Sequence, residues 1–185
     1  QGNAELGAPR IAGLDAQYLG RQLADFRDRR RGSGAGDTFG AQMVTIASML
    51  DDTTIGRLAA YVSAMPEVQV STSIGGDGKA GQATYTTCAA CHGVNGEGSV
   101  SLGAPRLAGM TDSYLARQFV AYASGMRGSS AGDDRGAAMR GITAGIKGDK
   151  AVRDVISYAV SLPGPATLSA TACADQPAGT CGSSR

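Results

Sequence analysis

The sequence predicts an all-α protein that consists of two tandem copies of one small helical unit. Residues 7–43 repeat at residues 103–139 without a gap, and 19 of these 37 positions are identical. Apolar residues recur at helical spacing in both copies, and no stretch of useful length alternates as a strand would. The chain has 185 residues, which is enough for two units of roughly 80 to 90 residues each.

The first predicted helix of each copy begins at an N-cap residue, Asp15 or Thr111, and stops before a glycine, Gly32 or Gly128. Its apolar face carries Tyr18, Leu19, Leu23 and Phe26 in the first copy, and Tyr114, Leu115, Phe119 and Tyr122 in the second. A loop rich in glycine, alanine and serine is predicted to follow this helix in both copies.

The closing helix of each copy is predicted to begin near Asp51 or Asp149 and to end before Pro66 or Pro163. The serines and glycines after Pro66 predict a linker. The sequence therefore divides into a first unit at 1–66, a linker at 67–76, a second unit at 77–163 and a tail at 164–185.

The composition excludes several classes of function. The chain has 17 basic and 16 acidic residues, so it lacks the basic footprint of a nucleic-acid-binding protein. No apolar run approaches the roughly 18 residues that a membrane span requires. The chain contains one histidine and four cysteines, which excludes a multi-histidine zinc or copper site and a bis-histidine haem within one chain.

The single histidine closes the string CAACH at residues 88–92, at the end of a leading helix that only the second copy has, from about Asp77 to Cys91. Thiols three residues apart lie on one face of a helix and can reach both vinyl groups of one haem, while the adjacent histidine can reach the iron. The spacing predicts covalent c-type haem attachment. A thioredoxin-like redox pair would need a βαβ pattern. Half of a zinc site would need two further ligands, and only Cys173 and Cys181 remain.

Met43 and Met139 occupy the same register in the glycine-rich loops of the two copies. A thioether is the usual sixth ligand opposite histidine in electron-transfer cytochromes, although a methionine in an apolar setting more often fills a core. Met110 and Met126 are competing candidates, but neither has a methionine as its counterpart in the first copy. We therefore predict that Met139 is the ligand.

These residues resemble the class I c-type cytochromes, and in particular the two-domain, dihaem branch called the cytochrome c4 type. The resemblance rests on CAACHG at 88–93, GAPRLAG at 103–109, YLARQF at 114–119 and MRG at 139–141. It extends to a closing helix that ends in ISYAVSLP. It implies a tandem pair of small cytochrome c domains, of which the first lacks its leading haem-binding helix in this sequence.

The resemblance implies a role for each matching residue. The thioether cysteines and the two axial ligands are Cys88, Cys91, His92 and Met139. Pro105 matches a proline whose carbonyl accepts the N–H of the proximal histidine and fixes its orientation. Arg106 resembles a partner of a haem propionate, although an exposed arginine without a fixed role is an alternative interpretation.

The first copy departs from the family pattern because its own C-x-x-C-H motif would fall about eight positions before residue 1. Either this unit lost its haem, or the sequence begins downstream of the mature N-terminus; we favour the second. The residues support one haem c, and two if the second explanation holds, with Met43 as a ligand of the additional haem. In the family fold the leading helix covers the closing helix, so we expect Ile55, Leu58 and Val62 to lack much of their cover.

A haem with both axial positions filled exchanges electrons and does no bond chemistry. We predict a periplasmic carrier of single electrons, whose partners are a dehydrogenase as donor and an oxidase or reductase as acceptor. The alternatives are a cytochrome subunit of a larger dehydrogenase or oxidase complex and a haem enzyme, such as a peroxidase or a sulfur-compound oxidoreductase. Export also favours a disulfide between Cys173 and Cys181 in the tail.

Overall fold

The computed structural model describes residues 2–3, 7–66 and 74–165, and this part of the chain is all-α, as predicted. Its only extended pairing is two isolated bridges, between Asn3 and Ala8 and between Ser99 and Ala104. No described helix is long and apolar enough to cross a membrane. The helices are α1 (Ala16–Arg27), α2 (Thr38–Ala47), α3 (Asp52–Ser63), α4 (Gly78–His92), α5 (Asp112–Ala123), α6 (Asp134–Gly145) and α7 (Asp149–Ser161).

Most of the predicted linker, residues 67–73, lies outside the described residues. The predicted disulfide between Cys173 and Cys181 in the tail also lies outside them. We call residues 7–66 the first half and residues 74–165 the second half. The first half contains α1–α3, and the second half contains α4–α7. The leading helix, expected from about Asp77 to Cys91, is α4, and it includes His92.

Aspartate side chains define where most of these helices begin. The carboxylates of Asp15, Asp37, Asp51, Asp77 and Asp133 each accept a hydrogen bond from a backbone N–H in the first turn of the following helix. Such N-caps satisfy donors that the helix itself cannot pair. They fix the register of each helix, and hence the direction in which its functional side chains point.

The predicted glycine-rich loop between the first and closing helices of each copy is wrong in part, because it contains the helices α2 and α6. Asp37 and Asp133 cap these helices, and their carboxylates accept from the N–H groups of Gly40 and Gly136 at 2.8 Å. The alanines and other helix-forming residues that follow outweigh the interior glycines. Met43 and Met139 therefore lie on helices and not in flexible loops.

Helix α4 packs across α7 in the second half. The core at this crossing consists of Tyr85, Val155, Ile156 and Ala159. The backbones approach closely, because a Cβ atom on Gly81 would lie 2.1 Å from the carbonyl oxygen of Asp154. The rings of Tyr85 and Tyr158 meet edge to face at 5.3 Å, an arrangement that adds to the burial of both rings.

Helix α3, the counterpart of α7, has no helix across its outer face among the described residues. Leu58 is 39% exposed and Tyr61 is 70% exposed, which agrees with the expected loss of cover at Leu58. The expectation is wrong for Ile55, which is only 6% exposed. Ile55 faces α1, where a Cβ atom on Gly20 would lie 3.8 Å from its side chain.

The two halves meet through contacts that repeat with the sequence offset of 96 residues. Arg21 donates to the carbonyl oxygen of Gly103 at 2.8 Å, and its counterpart Arg117 donates to that of Gly7 at 2.5 Å. Met110 of the second half packs into an apolar cluster with Leu14, Leu19 and Ala59 of the first. The halves are therefore related as two copies around an approximate twofold axis.

A network of two arginines and two glutamines extends this interface. Arg31 donates to the side-chain oxygens of Gln22 at 2.6 Å and of Gln118 at 3.0 Å. Arg127 donates to the same two oxygens. The guanidinium groups also lie over aromatic rings, Arg31 over Phe26 and Arg127 over Tyr122. Amide oxygens and aromatic faces thus surround two cations at the contact between the halves.

Candidate functional site

The C-terminal turns of α4 carry Cys88, Cys91 and His92. Cys88 is half-buried and Cys91 is exposed, and both are free thiols. Burial raises the pKa of the Cys88 thiol. The helix continues without a break through His92. Cys88 and Cys91 therefore lie on one face of the helix, and His92 occupies the position next to Cys91.

His92 is buried, with 5% of its surface exposed, and its Nδ1 atom lies 2.7 Å from the carbonyl oxygen of Pro105. A carbonyl oxygen only accepts, so Nδ1 carries the proton and Nε2 keeps a free lone pair. Burial lowers the pKa of His92, although the bond to Pro105 opposes this effect. A neutral imidazole with an oriented Nε2 lone pair is the form that binds a metal ion.

The backbone around Pro105 is tightly organised. The carbonyl oxygen of His92 accepts from the N–H of Gly98 at 2.8 Å, and Ser99 and Ala104 exchange two backbone hydrogen bonds. Gly98 has φ +86°, and a Cβ atom there would lie 2.9 Å from the carbonyl carbon of Pro105. Only glycine allows this approach, which brings the Pro105 carbonyl to the histidine.

Two arginines lie beside this loop, one from each half. Arg106 directly follows Pro105, and burial together with the charge of Arg10 lowers its pKa. Arg10 is 7% exposed, and burial lowers its pKa as well. Two neighbouring cations in a partly desolvated position favour an anionic group between them or beside them.

Met139 lies in the middle of α6 and is half-buried. The hydroxyl of Thr143, which is 1% exposed, donates to the carbonyl oxygen of Met139 at 3.0 Å. The competing methionines have other contacts. Met110 is part of the apolar cluster between the halves, and the backbone of Met126 packs against Gly34. Met43 packs beside Phe26, Val44 and Ala47.

The site fits a covalently attached haem better than the other interpretations of the motif. Two free thiols precede a buried, neutral histidine whose Nδ1 is already bonded. Within the described ranges, no group of three or more histidine, cysteine or acidic side chains could hold a metal ion, so the zinc interpretation gains no completing ligands there. Arg10 and Thr143 were not among the residues predicted from the sequence. The repeat carried a signal only for Arg10, which matches Arg106 in the second copy.

Comparisons with known proteins agree with this chemistry. The family model for cytochrome c matches residues 78–163. The thiosulfate dehydrogenase electron acceptor of Stutzerimonas stutzeri is 32% identical over 168 residues, which is 85% of this chain and 72% of that protein. Cytochrome c4 of Stutzerimonas stutzeri is 33% identical over 164 residues, which is 81% of this chain and 74% of that protein.

Solved structures extend the similarity to both halves. Cytochrome c4 of Acidithiobacillus ferrooxidans superposes with a TM-score of 0.69 at 30% identity, over 83% of this chain and 88% of that chain. A thiosulfate dehydrogenase from Marichromatium purpuratum superposes with a TM-score of 0.70 at 29% identity, over 87% of this chain but only 34% of its own. On this evidence the chain belongs to the class I c-type cytochromes of the two-domain cytochrome c4 type, which are electron carriers with covalently bound haem c.

Proposed function

We propose that the second half binds one haem c through thioether bonds to Cys88 and Cys91, with His92 and Met139 as axial ligands. Pro105 orients His92, and Arg106 pairs with a haem propionate. The observation that carries this assignment is the buried His92, whose Nδ1 lies 2.7 Å from the Pro105 carbonyl oxygen. In a chain with one histidine, no other imidazole is available as a ligand.

The bound haem supplies a one-electron couple between ferric and ferrous iron. The chain's own residues determine how this couple behaves. His92, held by Pro105, would present its Nε2 lone pair to the iron in one orientation, and Met139 would provide the second ligand and so exclude small molecules such as water. Arg106, with Arg10 beside it, provides positive charge for a propionate. The protein then transfers electrons without acting on a bound substrate.

Domain boundaries at 1–66 and 77–163 belong to the same proposal. The matched contacts between Arg21 and Gly103 and between Arg117 and Gly7 support a division into two equivalent units. The helix α4 has no counterpart among the described residues of the first half. Met43 is the residue of the first unit that would serve as a ligand if that unit also bound haem.

Substitution of Met139 tests the assignment of the axial ligand. In the Met139→Ala variant we expect loss of the Met-to-iron charge-transfer band at the red end of the ferric spectrum, because the thioether is absent. We also expect rapid binding of cyanide or CO and a lower reduction potential, since methionine ligation favours the ferrous state. Absorption spectroscopy and redox titration of the holoprotein measure these changes.

Met126→Ala is the control, because Met126 lies in the second half but contacts the first half at Gly34. This variant should keep the charge-transfer band. Persistence of the band in Met139→Ala would contradict the assignment. Thioether formation is tested separately by the mass of the peptide that contains residues 88–92, which should include one haem.

A sulfur-compound dehydrogenase in the periplasm is the electron donor that we propose. Two comparison proteins support this choice. The first is named as the electron acceptor of a thiosulfate dehydrogenase. The second is a thiosulfate dehydrogenase whose longer chain contains a segment that superposes on this protein. The second observation also supports the alternative that this chain is the electron-transfer subunit of such a complex. Export to the periplasm agrees with thioether attachment of haem, and cell fractionation tests it.

Reduction kinetics distinguish a thiosulfate-linked donor from a general one. The oxidised holoprotein is mixed with a thiosulfate dehydrogenase and thiosulfate, and the ferrous spectrum is followed. We expect reduction that depends on both the enzyme and thiosulfate. Reduction at the same rate without thiosulfate, or none at all, would exclude this donor. Co-purification of the two proteins from the host would favour the subunit alternative over a free carrier.

A further inference from the structure

The segment at 103–109, which we call the proximal segment, is bonded from both halves of the molecule. The second half contributes the His92 bond to the Pro105 carbonyl oxygen and the paired backbone bonds between Ser99 and Ala104. The first half contributes two arginines. Arg21 donates to the carbonyl oxygen of Gly103 at 2.8 Å, and Arg10 donates to that of Gly109. Arginines of the first half therefore hold both ends of the proximal segment.

The contact at Gly103 is close and direct. Gly103 has φ +66°, and a Cβ atom there would lie 2.7 Å from a terminal nitrogen of Arg21 and 2.6 Å from Nε of Arg135. Only one peptide unit, between Ala104 and Pro105, separates the peptide unit of the Gly103 carbonyl from that of the Pro105 carbonyl. Peptide units are planar and the proline ring fixes φ at Pro105. A displacement at Gly103 is therefore transmitted to the carbonyl that accepts the proton of His92.

We propose that Arg21 is a positioning residue for His92, acting across the contact between the halves. By holding the proximal segment, it sets the strength of the hydrogen bond from His92 Nδ1 to Pro105. A stronger bond makes the imidazole more basic and therefore a stronger donor to iron. The first half thus adjusts the redox properties of the site in the second half. This inference rests on the proposed role of His92 as an axial ligand.

The repeat provides a matched control. Arg117 makes the mirrored bond to the carbonyl oxygen of Gly7 at 2.5 Å, and it occupies the equivalent position on α5. Each arginine also lies over a tyrosine ring at 5.8 Å, Arg21 over Tyr18 and Arg117 over Tyr114. Substitution of either arginine removes one bond between the halves, but only Arg21 is bonded to the proximal segment.

The experiment uses the holoprotein formed by the 185 residues of this sequence, labelled with 15N-histidine. With one histidine in the chain, the ring gives a single set of signals, and the ferrous form is diamagnetic. We expect the Nδ1–H proton of His92 to exchange with solvent about fivefold faster in Arg21→Gln. This factor corresponds to the loss of most of the hydrogen bond between His92 and Pro105. The reduction potential should rise, because a less basic imidazole favours ferric iron less. Arg21→Lys should recover part of both changes.

Arg117→Gln should leave the exchange rate and the potential at their original values. The proposal is overturned if Arg21→Gln changes neither quantity, or if Arg117→Gln changes both equally. If Arg21→Gln does not fold, Gly103→Ala replaces it, because the added Cβ would displace the Arg21 guanidinium group from the Gly103 carbonyl. The same faster exchange and higher potential are then expected, and their absence would overturn the proposal. Failure of the proposed function is distinguishable: the unsubstituted protein would then show a His92 ring without the large shifts of a haem ligand.

Discussion

Asp154 connects α7 to the beginning of α4, the helix that carries the CAACH motif. One carboxylate oxygen accepts from the backbone N–H of Asp77 at 2.8 Å, and the other accepts from Lys150 Nζ at 2.6 Å. The bond to Lys150 and the bond to the Asp77 N–H lower the pKa of Asp154. Ionisation of Asp154 is therefore more favourable in the folded protein than in the unfolded chain, and it stabilises the fold.

This arrangement predicts a pH-dependent effect of Asp154→Asn. The folded-state pKa lies below the unfolded value of about 3.9, so the carboxylate contributes its full stability above that value and loses it as the pH falls through the folded pKa. We expect the variant to have a lower free energy of unfolding at neutral pH. The difference should shrink in acid, and urea unfolding across this pH range measures it.

Lys150→Ala separates the two partners of Asp154. The Lys150 side chain is 74% exposed, so water and salt screen its ion pair, whereas the Asp77 N–H lies at the start of a packed helix. This variant should therefore lose less stability than Asp154→Asn. A larger loss in Lys150→Ala would show that the ion pair, and not the backbone bond, anchors α4.

At the residue scale, the sequence supports a prediction for residues with a local signature. The CAACH string predicts haem attachment at Cys88, Cys91 and His92 because this chemistry depends on spacing along one helix. Arg10 and Thr143 have no such signature, since their roles depend on contacts between segments that are distant in sequence. The sequence shows that Arg10 recurs as Arg106, but it does not show that the two cations are neighbours.

At the scale of elements, the crossing of α4 and α7 depends on a glycine. A Cβ atom on Gly81 would lie 2.1 Å from the carbonyl oxygen of Asp154, and the backbone of α7 cannot move away without losing its own packing. We expect Gly81→Ala to lower the free energy of unfolding by about 1–3 kcal/mol, as overpacking does. Denaturant unfolding of the holoprotein measures the change.

Gly141→Ala is the matched control, because Gly141 also lies inside a helix but has no atom within 4 Å of an added Cβ. Alanine has the higher helix propensity, so this variant should be more stable by up to about 1 kcal/mol. Equal effects of the two substitutions would mean that propensity, and not the contact with α7, decides the outcome at Gly81.

The sequence predicted five helices from N-caps, prolines and apolar periodicity, but it did not predict α2 and α6. These two helices contain Gly40, Gly136, Gly141 and Gly145, and glycine count was a misleading signal for them. The decisive features were the caps at Asp37 and Asp133, whose carboxylates bond to the N–H groups of glycines within the first turn. A short, capped helix with alanine-rich turns resembles a loop in composition alone.

At the scale of the whole molecule, the hydrogen-bonded side-chain partners of Arg31 and Arg127 within the described part of the chain are the oxygens of two glutamines and tyrosine hydroxyls, including that of Tyr114, and none is a carboxylate. Neutral amides do not titrate, so we expect the arrangement of the two halves to be the same from mildly acidic to neutral pH. Small-angle X-ray scattering over this range should show an unchanged radius of gyration.

Gln118→Glu converts this network into one that titrates. The new carboxylate would form charge-assisted hydrogen bonds with both arginines when ionised, whereas the protonated acid would keep only a neutral bond like that of Gln118. The free energy of unfolding of this variant should therefore fall as the carboxylate is protonated in acid, which urea unfolding over this pH range would detect. An equal fall in the unsubstituted protein would contradict the assignment of these four residues to the contact.

The repeat predicted two equivalent units, but it did not predict how they meet. Arg21 and Arg117 are identical in the two copies and lie on the apolar helix of each unit, which is also compatible with two exposed side chains. Only the fold shows that each reaches across to a glycine carbonyl of the other half. The partners of these bonds are distant in sequence, and no local motif marks either of them, so the residue pattern does not predict the pairing.

The reciprocal bonds of Arg21 and Arg117 have a further consequence. Arg21 contacts Gly103, and their counterparts Arg117 and Gly7 make the same contact in the opposite direction. Such a reciprocal interface is called isologous, and it is typical of a symmetric homodimer. The present arrangement is therefore the one that results when two self-complementary subunits are joined into a single polypeptide. Once joined, each copy is free to change alone, and asymmetric pairs such as Phe39 and Arg135, or Ala47 and Thr143, show that the copies have diverged at matched positions.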